Sequence, residues 1–309
     1  MAHEDYEFYE GQDRLMGTIF RLYAFYPQDK LTWMHELADR LFDSLIEDNL
    51  RLSLYKKDSL VNRINGAAGE EPVAVDEDTF ALLSAARGWW ELTRGLFDIT
   101  AGALMFAHGY YRDAALPENS PPAMEELAGL TGCDKLELDR ERHTARLSRK
   151  GMLLDLGGLA KGWCVQQRAA ALLASGLEDF VISAGTSTVL ARGAPPSAES
   201  WPTELETFGD KASRVPELSL RDCAVSVSAN YRNTLSGPQG ATVRHIMNPL
   251  TLQPVEELRR VVVTGPDAAE CEALSTAFLI QGGPEGTFSL ENRPDISVHF
   301  DTPDDLRMA

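Results

Sequence analysis

Gly151 to Gly162 reads Gly-Met-Leu-Leu-Asp-Leu-Gly-Gly-Leu-Ala-Lys-Gly. One carboxylate, Asp155, closes an apolar run from Met152 to Leu154. Gly157 and Gly158 follow, and Lys161 stands at the start of an Ala/Leu-rich segment, Trp163 to Ser175. The order predicts strand, glycine turn, helix. Glycines let a backbone approach a ligand with no Cβ in the way. Free N–H groups at a helix start attract anions such as phosphate, and a lysine adds a mobile positive charge. These features suit a diphosphate or nucleotide cradle, with Asp155 aimed at a polar group of the ligand. The spacing is neither that of a Walker A loop nor that of G-x-G-x-x-G. A plain tight turn before a helix is the alternative.

Other groups able to do chemistry lie elsewhere in the chain. Glu272 and Thr276 are four residues apart on a predicted helix, hence on one face, with Ser275 beside them. Carboxylate and hydroxyl oxygens suit a hard cation such as Mg²⁺, which also seeks phosphates and water; such a pair also arises by chance. His245 precedes Met247 and an Asn248-Pro249 turn. A histidine there can move a proton near neutral pH or simply satisfy packing. Asp98, within Leu96-Phe97-Asp98-Ile99-Thr100, is a carboxylate in apolar company and needs partners. It is either a structural cap or a ligand contact. Tyr55 could stack on a flat ring or half-bury itself in packing.

Elements must position these groups. Strand-like residues run from Ile19 to Tyr26 after Met16-Gly17-Thr18. Leu31 to Leu50 carries apolar residues at helical spacing, namely Leu31, Met34, Leu37, Leu41 and Leu45. Asp58-Ser59 can cap a short helix that ends at Asn65-Gly66. Val73 to Val75 predicts a strand, and Asp76 to Thr93 a helix capped by Asp76 or Asp78. Phe106 to Pro122 reads as loop, Ala123 to Leu130 as a short helix, and Leu136–Asp139 with Thr144–Leu147 as a hairpin. Strands are expected at 179–184, continuing at 189–191 after the Gly185-Thr186-Ser187-Thr188 turn, and at 218–228, 261–265 and 296–300. Pro195 to Pro216 predicts an irregular surface segment, and Gly237 and Gly240 a turn. A helix from Ala269 to Ile280 is expected to be capped by Asp267 and stopped by Gly282-Gly283.

The chain has 309 residues, 44% hydrophobic and 25% charged, which bounds it to one large domain or two intimately packed lobes with a core. A net charge of −18 argues against nucleic acid and anionic membranes as partners. The four cysteines, Cys133, Cys164, Cys223 and Cys271, form no C-x-x-C pair, so free thiols are expected. No signal peptide, lipobox or membrane span is visible. A cytoplasmic location is the expectation, or a periplasmic one if a leader has been removed.

Taken in order, Met16-Gly17-Thr18, Tyr55-Lys-Lys-Asp-Ser, Leu96-Phe-Asp98-Ile-Thr, Asp155-Leu-Gly-Gly-Leu-Ala-Lys-Gly, His245-Ile-Met-Asn-Pro and Glu272-Ala-Leu-Ser-Thr276 resemble the ApbE family. These are FAD:protein FMN transferases, also known as thiamine biosynthesis lipoprotein ApbE-like proteins. The resemblance runs from Met16 to about Gly282, and its specificity lies in six motifs in sequence. It implies an α+β fold related to the T-fold, antiparallel sheets backed by helices, as a single transferase domain with the FAD site between any two lobes. It implies that FAD is split at its diphosphate with Mg²⁺, that FMN is esterified onto a Thr or Ser of an acceptor flavoprotein, and that AMP is released. A member that only holds FAD, and a diphosphatase giving FMN and AMP, are the alternatives. By motif, Met16, Tyr55, Leu96, Phe97, Asp98, Asp155, Lys161 and Met247 resemble FAD contacts. The backbone at Gly158 with Glu272, Ser275 and Thr276 resembles the Mg²⁺ site. His245 resembles the residue that assists deprotonation of the acceptor hydroxyl, with Asp155 as the other group at the reacting end. The family usually has Asp where Glu272 and Asn248 stand, Gly-Gly-Asp where this chain has Gly185-Thr186-Ser187, and Ser-Gly where it has Ser228-Ala229.

Overall fold

A computed structural model describes residues 5–111, 114–116, 120–203, 218–231, 234–236 and 242–301. Its centre is a seven-stranded sheet. The spatial order is Tyr6–Leu15, Thr18–Pro27, Asp179–Ala184, Thr188–Arg192, Cys223–Ala229, Arg260–Gly265, Ser297–Asp301. Every neighbouring pair is antiparallel.

Alternation along each strand sorts side chains between two faces. Phe20, Leu22, Phe180, Ile182, Leu190, Val261 and Val263 face the main core with the helices. Val181, Val189, Ala191, Val225 and Val262 face the other way, and Trp201 and Leu220 of a small hairpin cover them. Burial on both faces explains why Asp179–Ala184 and Arg260–Gly265 read as apolar runs.

Three helices back the first face: Leu31–Leu52, Ala160–Ala174 and Ala268–Gln281. The first buries Met34, Leu37, Leu41 and Leu45 at the predicted spacing, while Leu31 stays 49% exposed. Caps fall where the side chains ask for them. Ser59 accepts from Asn62 N–H, Asp76 from Thr79 N–H and Asp267 from Glu270 N–H. Gly282 ends the last helix at φ 83°, a left-handed conformation that favours glycine.

Several expectations need correction. The Tyr6–Leu15 strand has no counterpart in the sequence reading, because only Leu15 of it is buried and its apolar signal is thin. Phe106 lies in a helix, Gly102–Ala107, rather than a loop. The 218–228 strand is broken at Arg221-Asp222, with Asp222 at φ 51°. The apolar run before Asp155 is extended but belongs to no sheet; it makes one isolated bridge, Leu153 with Ala101. The side chain of Asn65 stands in for a neighbouring strand. Its Nδ2 donates to Leu154 O at 3.1 Å and its Oδ1 accepts from Leu154 N–H at 2.7 Å. Most of the predicted 195–216 segment, the Gly237/Gly240 turn and Pro117 lie outside the described residues.

Candidate functional site

The turn after Asp155 is held by its own carboxylate. Asp155 Oδ1 accepts Gly157 N–H at 2.7 Å, and Asp155 N–H donates to Ile99 O at 2.8 Å. The second oxygen accepts from the phenol of Tyr111. Burial and the Asp155 charge push that phenol well above the usual tyrosine range. Gly157 and Gly158 are exposed, so the turn presents backbone to solvent at the mouth of the Ala160–Ala174 helix.

Lys161, in the first turn of that helix, reaches back to Gly157 O at 3.1 Å. Its ammonium also lies 2.7 Å from Glu272 Oε1. Glu272 is 5% exposed, and its Oε2 accepts the backbone N–H of Gly162. A Cβ on Gly162 would stand 2.6 Å from Ala268 O and 2.7 Å from Glu272 Oε2. Glycine there is what lets the Ala160–Ala174 and Ala268–Gln281 helices meet.

One turn beyond Glu272, four hydroxyls form a chain. Ser275 Oγ lies 3.2 Å from Ser226 Oγ and 2.8 Å from Ser228 Oγ, and Ser228 Oγ lies 3.2 Å from Thr276 Oγ1. Ser275 also donates to Glu272 O at 3.0 Å. A Cβ on Gly158 would sit 3.9 Å from Thr276 Oγ1, so the glycine turn and this helix face are neighbours. Gly158, Glu272, Ser275 and Thr276 are therefore gathered in one place. Among the described residues no group of three or more His, Cys, Asp or Glu side chains is placed to hold a metal ion. One carboxylate with hydroxyl and backbone oxygens fits Mg²⁺, which keeps waters and shares substrate phosphates, better than a softer metal held by His and Cys.

Asp98 is half-buried, with one carboxylate oxygen engaged. Its Oδ1 accepts Thr100 N–H at 2.8 Å and Thr100 Oγ1 at 2.6 Å, and Cys133 Sγ lies 3.3 Å away. Burial raises its carboxyl against those bonds. Of the two readings left open, that oxygen performs the structural cap. Leu96 and Phe97 are 3% and 4% exposed, so their side chains are core. Tyr55 is 59% exposed and near enough to Tyr111 to help raise that phenol, which places it on the Asp155 side. Met16 (φ 49°) and Gly17 (φ 75°) form the tight turn between the first two strands. Gly185 lies against that turn's far side, donating its N–H to Ile19 O at 2.8 Å.

His245 rides on an arm tied down at two points. Tyr110 OH donates to Val243 O at 3.0 Å and His108 Nε2 lies 3.2 Å from Leu252 O. On the other side Asn230, fully buried, donates to Val255 O at 2.9 Å and accepts Arg259 N–H at 2.9 Å, while Arg244 donates to Asn230 O at 3.1 Å. Met247 is 5% exposed, packed with Leu104 and Leu127. Asn248 caps its own turn, accepting Leu250 N–H at 2.9 Å. Consecutive tyrosines thus join two parts of the site: Tyr110 holds the His245 arm and Tyr111 holds Asp155. Sequence reasoning missed both, along with Ser226 and Asn65. The adjacent Tyr110-Tyr111 pair in a stretch read as loop was the available signal.

A model described as the ApbE family matches residues 16–300 of the chain. A Treponema pallidum protein named FAD:protein FMN transferase is 28% identical over 316 residues, covering 96% of this chain and 85% of that protein. A solved structure of the flavin transferase ApbE from Vibrio cholerae superposes with TM-score 0.74 at 26% identity, covering 96% of this chain and 93% of that one. The apo flavinyl transferase ApbE of Pseudomonas stutzeri, at 23% identity, shares the fold with TM-score 0.80 over 97% of this chain and 92% of its own.

Proposed function

The chain belongs to the ApbE family, and on that premise we propose that it transfers FMN from FAD to a Thr or Ser hydroxyl of an acceptor flavoprotein, with Mg²⁺ bound and AMP released. The observation that carries this reading is the convergence of the Gly157-Gly158 turn, Lys161, Glu272 and Thr276 on one spot.

Phosphoryl transfer asks the protein mainly for positioning and charge neutralisation. The exposed N–H groups at 157–158 and the Lys161 ammonium suit the diphosphate. Asp155 and Tyr55 suit the polar edge and flat face of the flavin nucleotide. Glu272, Ser275, Thr276 and the backbone at Gly158 would hold Mg²⁺, which when bound offsets the charge on the diphosphate. His245 takes the proton of the acceptor hydroxyl as its oxygen forms the new bond to the FMN phosphorus. The bond from that phosphorus to the AMP phosphate breaks, and AMP carries the charge away.

The test is incubation of the chain with FAD, Mg²⁺ and an acceptor domain carrying the target Thr, followed by intact mass spectrometry. Addition of one FMN to the acceptor, lost with EDTA and accompanied by AMP, is the expected result. AMP and FMN without labelled acceptor would make the chain a diphosphatase. FAD bound with neither product would make it a flavin holder.

A further inference from the structure

Lys161 already holds the buried Glu272 oxygen that the proposed metal would take. Glu272 has both oxygens engaged, Oε2 by the backbone N–H of Gly162 and Oε1 by the Lys161 ammonium at 2.7 Å. The two partners differ in freedom. Gly162 is packed so closely that a Cβ on it would stand 2.6 Å from Ala268 O, and its backbone N–H anchors Oε2. Lys161 is on a flexible stem, its side chain 21% exposed, and it already leans on Gly157 O at 3.1 Å. An ammonium and a divalent cation on one buried carboxylate oxygen repel each other strongly where water screens poorly, and a buried carboxylate needs one of them.

We propose that Lys161 is the exchangeable counter-ion of Glu272. A divalent cation takes Oε1, and the released ammonium swings over the Gly157-Gly158 turn toward the diphosphate of the flavin nucleotide. This rests on the Mg²⁺ reading above. It makes metal and nucleotide binding mutually favourable, because each ligand pulls one member of the pair apart from the other. Asp in place of Glu272 would not reach as far, so the longer carboxylate is what builds the switch.

Two measurements test it. The first uses the unmodified chain without FAD: amines are labelled by reductive methylation with and without MgCl₂, and sites are read by peptide mass spectrometry. Labelling of Lys161 is expected to rise several-fold with Mg²⁺, while the exposed Lys57 and Lys150 stay unchanged. The second is Mn²⁺ binding followed by electron paramagnetic resonance. Lys161→Met is expected to bind Mn²⁺ about ten-fold tighter than wild type, the gain from removing a competing charge, and Glu272→Gln more weakly. Mn²⁺ bound by wild type with Lys161 labelling unaltered, or with equal affinity in Lys161→Met, overturns the exchange and leaves the metal site standing. Mn²⁺ bound by none of the three overturns both.

Discussion

Tyr111 and Asp155, 44 residues apart, meet at one carboxylate oxygen, while the other oxygen of Asp155 accepts Gly157 N–H at 2.7 Å. Both oxygens are thus fixed before any ligand arrives, which is what a preorganised recognition group requires. Asp155→Ala should weaken FAD binding by about ten-fold or more, and Tyr111→Phe by about ten-fold, the lower end of the worth of one hydrogen bond to a charged acceptor. Flavin fluorescence titration reads both. Unchanged affinity in Asp155→Ala would remove the cradle.

Thr276→Val keeps the side chain's shape and deletes the hydroxyl that lies 3.2 Å from Ser228 Oγ. Transfer activity at limiting Mg²⁺ should fall about ten-fold, with a stability loss near 1 kcal/mol for the lost hydrogen bond. A Mg²⁺ titration of acceptor labelling checks it, and an unaltered titration curve would count against Thr276 as an ion contact.

Asn65→Ala should be costly for a residue far from the chemistry. It leaves the N–H and C=O of Leu154 without the partners at 2.7 Å and 3.1 Å. Each buried group left unmatched costs about 1–3 kcal/mol, so a loss of about 2–6 kcal/mol is expected in urea unfolding. Because Asp155 follows directly, FAD affinity should drop as well. A loss below about 1 kcal/mol would mean water replaces the amide readily.

Asp98 gives a pH signature. Its folded carboxyl titrates above the unfolded value because burial disfavours the charge. Between the two values the native chain binds more protons than the unfolded one, so stability falls as pH rises through that window. Asp98→Asn still accepts from Thr100 N–H and carries no charge. Its melting temperature relative to wild type should be most favourable at about pH 7 and lose ground toward about pH 4, near the unfolded carboxyl value. A difference independent of pH would mean that Asp98 titrates alike in the folded and unfolded chain.

Local chemistry settled much of this protein by itself. Ser59, Asp76 and Asp267 cap helices because their side-chain oxygens meet orphan N–H groups within three residues. The apolar run at 261–263 is a buried strand because both its faces are covered. Motif order was enough to point to the family, since the motifs sit at glycine turns and helix starts that are legible in a linear string. What the string could not decide were relationships between distant backbones. The run before Asp155 looked like a strand because an apolar stretch carries no mark of its partner, and that partner is the side chain of Asn65, 89 residues earlier. That one oxygen of Asp98 serves Thr100 depended on which way the carboxylate turned. The Lys161–Glu272 pair, with Gly162 pressed on the neighbouring helix, exists only once two helices whose contact residues Gly162 and Glu272 lie 110 residues apart meet without a Cβ between them. Spacing along the chain encodes periodicity and caps, whereas contact across it is fixed by packing.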